Sequence, residues 1–252
     1  MAIKLGNNDM TFKVGSTDVD AIYLGSTKLY PNEPPTYVFS ANYSDGTSYF
    51  GNLCDGSSVL LVTGITRAHS SSVDTMSSAT IGDCVISIYS GCFSGCTSLR
   101  TLNSDVEGVF NIPNGVTFIA SNAFSRCSGM TSVNIPNSVT TIDSAFQYCT
   151  SLTSITVPNS ITQIASRFCY ACSGLLTVNL PSTITKIYGD SFAYCTSLQS
   201  ITILATTPPT LMDVSAFNNT NNCPIYVPSG SVSAYQSASG WSTYASRIQA
   251  IS

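Results

Sequence analysis

The sequence predicts a stacked-repeat solenoid, and three observations carry that reading. Apolar and small residues recur in fixed columns, each copy alternates like a short strand, and charged residues make up only 9% of the chain. Cys127, Cys149, Cys172 and Cys195 are separated by 22, 23 and 23 residues. Met130, Leu152, Leu175 and Leu198 follow them by three, and Val133, Ile155, Val178 and Ile201 keep the same step. So do Ile135, Val157, Leu180 and Ile203, then Pro136, Pro158 and Pro181. Val139, Ile161 and Ile184, followed by Ile142, Ile164 and Ile187, complete seven columns, which chance does not align. One copy alone buries too little apolar surface to offset the ordering of its backbone, so copies must stack.

Residues 1–34 stand outside this period. The run "FKVGSTDVDAIYLGSTKLYPNEPP" holds two Gly-Ser-Thr turns between β-rich stretches, which predicts a small β-meander closed by a proline-containing linker. So short a segment makes little core of its own and is expected to pack on the repeat domain, a sister chain or a larger assembly. Residues 35–84 follow as a divergent N-terminal cap, with "YVFSANYSD" and "SVLLVTGI" reading as strands.

From residue 85 the repeats begin. In "SLTSITVP" apolar residues point inward and polar ones outward, and the proline ends the pairing because it brings no N–H to a ladder. "NSVTTI" is a second extended stretch, and "DSAFQYC" is expected to return through a short helical turn. An earlier copy carries Phe93, Cys96, Leu99, Leu102 and Pro113 in the same order. Its Cys96 lies 31 residues before Cys127, so an insertion of about eight residues near "SDVEGVF" is expected to bulge from the rim. The aromatic column holds Phe124, Phe146 and Phe192, but strict spacing puts Cys169 in it and Phe168 one residue early. A one-residue slip of the turn is expected to let Phe168 fill the pocket.

Leu204 stands where proline is expected and marks the change to a C-terminal cap from about residue 205. Val232 and Tyr235, after Ser231, fit a short helix with a serine near its start. Trp241, Tyr244, Ile248 and Ile251 are the last large apolar residues and are expected to cover the open end of the core.

The segments "CTSLTSITVPNSITQI" and "CTSLQSITIL" resemble the leucine-rich repeat of the BspA-like type nearly position for position. The resemblance covers roughly residues 85–252, about two thirds of the chain. It implies a leucine-rich-repeat solenoid, a curved right-handed coil with a parallel β-sheet on one face. The ending from "TTPPTLMDVSAF" onward is similar to the one common in that family, whose members are mostly surface-displayed binding or adhesion molecules. The string "VDAIYLGSTKLYP" resembles short N-terminal modules of virion proteins of phages infecting gut bacteria. That second likeness implies that residues 1–34 dock the chain to other virion proteins.

Composition narrows the function classes. With 9 basic and 13 acidic residues the net charge is −4, which cannot neutralise many phosphates, so a nucleic-acid partner is not expected. There is no polybasic stretch for an anionic membrane and no apolar run of the roughly 18 residues that span one. The start "MAIKLGNNDMTFKVG" has no apolar segment typical of a secretory signal. On that reading the chain stays in the cytoplasm, leaves by a route needing no signal, or has been trimmed.

Catalytic and metal sites are weighed and set aside. Ten cysteines could suggest disulfides, but most fall on the repeat columns, where cysteine acts as a small buried hydrophobe. Cys169 and Cys172 form a CxxC pair and Cys92 and Cys96 a CxxxC pair, yet a structural zinc site normally needs four converging ligands. Bridges between neighbouring rungs would strain the stack. The single histidine, His69, has no recognisable base or nucleophile around it. Asp143 and Asp190 lie in turns, and Asp18 and Asp20 in the meander, where Asp more often shapes a turn than pairs for acid–base chemistry. No metal, cofactor or catalysis is expected.

The candidate binding surface is the outward face of the strands. Alternation places Ser132 and Asn134, Ser154 and Thr156, Thr177 and Asn179, and Ser200 and Thr202 there, in two uncharged polar rows without an aromatic residue. Such hydroxyls and amides suit recognition of a cell-surface protein or glycan, or they simply solvate the sheet. The expected function is non-catalytic binding and display. Its first setting is a bacteriophage virion, as a decoration or fibre-type protein whose repeats attach to a host or environmental surface. The alternative is a bacterial surface adhesin binding host protein or glycan, and a homo-oligomer is compatible with either.

Overall fold

In the rung that starts at Cys149, Leu152 and Ile155 turn inward and are buried, while Thr153 and Thr156 face solvent. That alternation is the geometry of a strand, and it recurs rung after rung. A computed structural model of the chain describes residues 76–82 and 85–251, together with the backbone of β1 (Tyr23–Leu24), β2 (Thr27–Lys28), β3 (Phe39–Tyr43) and β4 (Ser48–Phe50). Strands β1 and β2 pair antiparallel, Tyr23 with Lys28 and Leu24 with Thr27. The rest of the expected docking module, like His69, Asp18 and Asp20, lies outside the described residues.

Strand β5 (Met76–Ile81) joins the two regimes. It pairs antiparallel with β3, which pairs antiparallel with β4, and it pairs parallel with the first repeat strand, Ser78 against Thr101. Met76, Ala79 and Ile81 sit in the same core as the repeats, so the stack extends upstream of residue 85. Beyond it the chain alternates between two parallel sheets. The second sheet uses β6 (Ser87–Ile88), β9 (Phe118–Ile119), β11 (Thr141–Ile142), β13 (Gln163–Ile164), β15 (Lys186–Ile187) and β17 (Thr210–Leu211). The first uses β7 (Thr101–Leu102), β8 (Val109–Asn111), β10 (Ser132–Asn134), β12 (Ser154–Thr156), β14 (Thr177–Leu180) and β16 (Ser200–Ile203). It ends on β18 (Ile225–Val227) and β19 (Ile248–Ala250), so two strands of the expected cap continue the ladder.

The ladder registers stop at one junction in both sheets, between β10 and β12 and between β11 and β13. This junction follows the 22-residue copy. On the turn side the backbone stays joined there, Phe146 N–H donating to the Phe168 carbonyl at 3.1 Å.

One local expectation needs correction. The insertion near "SDVEGVF" adds a strand as well as a rim loop: β8 pairs with β7 on one side and β10 on the other. Phe110 drives this, because its buried ring packs edge-on against Phe124 at 6.2 Å. Only the loop carrying Asp105, Val106 and Glu107 is exposed, with Arg100 and Glu107 paired at 3.6 Å. The return of each rung is a single turn closed by bonds such as Cys127 N–H to the Phe124 carbonyl, as expected, and it goes no further. The residue before each column cysteine has a positive φ (Gly95 79°, Arg126 62°, Tyr148 59°, Ala171 56°, Tyr194 63°), which stops a right-handed helix after one turn.

The core is a stack of rings. Phe93, Phe124 and Phe146 lie face to face at 5.3 and 5.6 Å, with interplanar angles of 6° and 7°. Phe168 continues the stack at 5.6 Å from Phe146 and 5.9 Å from Phe192, but edge-on. It does so without the expected slip of the backbone. The amides of Phe124, Phe146, Cys169 and Phe192 each donate to the residue before the corresponding position one rung on, Ala145, Phe168, Ser191 and Ala216. By register Cys169 therefore occupies the phenylalanine site, and Phe168 reaches the ring stack from the alanine site beside it, which accounts for its turned ring.

Phe146 has a ring neighbour on each side, so Phe146→Ala is expected to cost about 3–5 kcal/mol in urea unfolding. Thr156→Ala, on the outward face, is expected to change stability by less than about 0.5 kcal/mol. Equal effects would mean that the inward and outward columns are misassigned.

The cap closes as expected, with one change of detail. Helix α1 (Val232–Ser237) follows Ser231, but the Ser231 hydroxyl donates to the Thr206 carbonyl at 2.7 Å and does not cap the helix. Tyr235, Trp241, Tyr244 and Ile248 are buried at the end of the ring stack, and Ile251 is half-buried.

Candidate binding surface

The structure brings the predicted outward residues into two rows. Thr177 lies between Ser154 and Ser200, and Asn179 between Thr156 and Thr202, each pair in parallel register. Ser132 and Asn134 belong to the upstream ladder, opposite Val109 and Asn111, across the junction that separates β10 from β12. The Ser132 row is half-buried, whereas Asn134, Thr156 and Asn179 are exposed. Asn134 is partly engaged: its side-chain amide donates to Asn111 Oδ1 at 2.5 Å, and Asn111 in turn donates to the Asn103 carbonyl at 2.9 Å.

Two aromatic features escaped the sequence reading. Tyr226 pairs with Thr202 on one side and Gln249 on the other, so the outer row does carry an aromatic ring. The signal was Tyr226 standing 24 residues after Thr202, inside "PIYVP". The second feature is a tyrosine ladder on the turn side. Tyr148 and Tyr170 lie 5.6 Å apart, and Tyr170 and Tyr194 5.3 Å, all edge-to-face. Tyr148 is 39% exposed and Tyr194 47%, and Arg126 and Arg167 sit over the rings of Tyr148 and Tyr170 at 5.3 and 5.5 Å. Burial, with the charges of its neighbours, raises the Tyr170 phenol above its usual range. Tyr148 and Tyr194 directly before their column cysteines, and Tyr170 two residues before Cys172, were the available signal.

The aspartates do not pair for catalysis. Asp143 lies on a groove of about 420 Å³ in the second sheet at the junction, with Thr140, Thr162, Gln163 and Tyr188, and no second carboxylate lines it. Asp190 has a φ of 58° and sits 3.7 Å from Arg167, a turn residue with an ion pair.

The cysteines form a ladder of buried thiols. Cys127 Sγ donates to the Phe93 carbonyl at 3.1 Å, Cys149 to Phe124 at 3.1 Å, Cys172 to Phe146 at 3.0 Å and Cys195 to Cys169 at 3.2 Å. No disulfide joins the described cysteines, and among the described residues no group of three or more Cys, His, Asp or Glu could hold a metal ion. Burial pushes the thiols of Cys92, Cys127, Cys149, Cys169 and Cys195 up. At Cys172 the thiols of Cys149 and Cys169 pull toward the thiolate, against its own burial. Cys172 itself donates to the Phe146 carbonyl, which takes the thiol form. Buried neutral thiols are poor nucleophiles. Among the described residues no helix is long and apolar enough to cross a membrane.

The sequence profile of the BspA type leucine rich repeat region matches residues 66–198 and 108–224. No curated protein matches the chain. Among solved structures, a leucine-rich repeat protein from Eubacterium ventriosum aligns at 27% identity and a TM-score of 0.48, covering 57% of this chain and 36% of its own. The leucine-rich repeat protein of T. pallidum aligns at 20% identity and a TM-score of 0.44, covering 56% of this chain and 82% of its own. A leucine rich cell surface protein from Faecalibacterium prausnitzii aligns at 23% identity and a TM-score of 0.37, covering 68% of this chain and 58% of its own. The chain thus spans little more than a third of the length of the first of these proteins.

Proposed function

The chain belongs to the BspA-type leucine-rich repeat family, and from that premise we propose that it is a non-catalytic protein that binds a protein partner through the exposed face of its repeat sheet. Repeats of this kind serve in general as binding scaffolds, and no enzyme family matches. The observation that carries the reading is the unbroken register of Thr156, Asn179, Thr202 and Tyr226 across four neighbouring strands. It sets hydroxyls, an amide and an aromatic ring in one line, and that line carries no charge to desolvate when a partner covers it.

Within this reading the chain is a virion decoration or fibre-type protein, held to the particle by residues 1–34 and displaying the repeats outward. That setting is supported by the likeness of "VDAIYLGSTKLYP" to phage modules alone. A bacterial surface adhesin would use the same sheet in another setting. Peptide mass spectrometry separates them: stoichiometric recovery from density-purified phage particles supports the virion, and recovery only from bacterial surface fractions overturns it.

The sheet itself is tested with the full chain carrying Thr156→Arg and Asn179→Arg. Fluorescently labelled wild type is expected to be retained on gut-bacterial cells and released when the cells are treated with protease. The double variant, with two bulky cations in the outer row, is expected to lose at least about tenfold in retention. Equal retention of the two would exclude the sheet face.

A further inference from the structure

The geometry points to a small-molecule site for a carboxylated sugar at the C-terminal end of the coil, built around Arg247 and meeting the sheet only at its last strand through Gln249. An open hollow of about 510 Å³ lies between the loop that follows Phe217 and the 3-10 helix Trp241–Arg247. Its size falls within the roughly 300–1,000 Å³ of small-molecule sites. Asn219, Asn222, Thr243, Ser246, Arg247 and Gln249 supply its polar lining.

Arg247 is held in place. Its Nε donates to the Cys223 carbonyl at 2.8 Å, and Nη2 donates to the Thr220 hydroxyl at 2.9 Å. Thr220 is itself buried and donates to the Phe217 carbonyl at 2.8 Å, so the acceptor cannot swing away. The guanidinium also lies over the Tyr244 ring, 5.3 Å from its centroid. Among the described residues Nη1 has no protein acceptor, and Arg247 makes no ion pair. The nearby Asp213 is engaged by the Ser215 N–H at 2.7 Å and does not line the hollow. An oriented, half-buried cation in a chain of net charge −4 therefore faces a cavity with no counter-ion among the described residues.

The ligand class follows from the donors. One guanidinium with no second cation among the lining residues matches a single carboxylate better than a doubly charged phosphate. The surrounding amides and hydroxyls both donate and accept, as the hydroxyls of a sugar require. Asn219, Asn221 and Asn222 have φ values of 57°, 54° and 49°, a left-handed backbone that Asn adopts more readily than most residues. That run folds the loop so that Asn219 and Asn222 both reach the lip of the hollow.

The probe is methyl β-D-glucuronide, titrated into the full chain by calorimetry with methyl glucoside and acetate alongside. The glucuronide is expected to bind at least about tenfold more tightly than either control, because neither control engages both the guanidinium and the amides. Arg247→Gln is expected to weaken it by at least about tenfold. Should that variant fail to fold, Ser246→Trp, at an exposed lining residue, fills the hollow and is expected to abolish binding. No glucuronide binding at about 10 mM, or wild-type binding by Ser246→Trp, overturns the site.

Discussion

Raising the pH from about 7 to about 10 is expected to destabilise the repeat domain strongly, because a ladder of buried thiols runs through its core. Burial raises Cys92, Cys127, Cys149, Cys169 and Cys195 above the ordinary thiol range. In the unfolded chain the same groups titrate near pH 8.5. The stabilisation that comes from keeping them neutral is therefore fully present below that value and is lost as the pH rises toward the folded pKa. Above pH 8.5 the unfolded chain binds fewer protons than the native one, and stability falls by about 1.4 kcal/mol per pH unit for each such thiol. Summed along the ladder, that loss is a sizeable share of the roughly 5–15 kcal/mol that holds a whole domain folded. The check is the urea midpoint measured from pH 7 to 10, with thiolate absorbance near 240 nm followed on the same samples. A midpoint that stays flat, or thiolate absorbance that grows while the far-ultraviolet circular dichroism is unchanged, would contradict a buried neutral ladder.

The same columns explain why so much of the fold was legible beforehand. A residue such as Ile155 or Val178 has one inward neighbour above and one below at a fixed step, so its burial follows from the repeat alone. The sheet rows followed for the same reason, since alternation leaves Thr156 and Asn179 no other direction. What escaped depended on contacts between columns. Phe168 could be placed in the ring stack, but the way it gets there depends on backbone register, which keeps Cys169 in the aromatic site. Phe110 belongs to no column, and its burial turned an expected rim loop into strand β8. The junction between β11 and β13 is not marked by any single residue, because it reflects how two whole rungs seat on each other. The Arg247 hollow lies beyond the last full copy, where periodicity has no hold.

Trp241→Ala is expected to be the most damaging single substitution in the cap. Trp241 is fully buried, with its ring 5.9 Å from Phe217 and 5.0 Å from Tyr235. Its Nε1–H donates to the Pro209 carbonyl at 2.7 Å, and the Tyr235 hydroxyl donates to the Ala205 carbonyl at 2.8 Å. One ring thus ends the aromatic stack, braces helix α1 and satisfies a buried carbonyl in the preceding loop. Emptying the ring site costs about 3–5 kcal/mol, and leaving the carbonyl unpaired adds about 1–3 kcal/mol. The sum of about 4–8 kcal/mol exceeds the cost expected at Phe146, whose site lies mid-stack and loses no hydrogen bond. Trp241→Phe keeps a ring and loses only the N–H, so it is expected to cost about 1–3 kcal/mol. A second consequence follows from position. An uncovered end of a solenoid presents apolar side chains and a free sheet edge, so the alanine variant is expected to self-associate while the phenylalanine variant stays monodisperse. Urea unfolding and size-exclusion chromatography with light scattering read both effects. Equal midpoints for the two variants would show that the ring contributes nothing beyond its hydrogen bond, and Trp241 would then not be the residue that closes the coil.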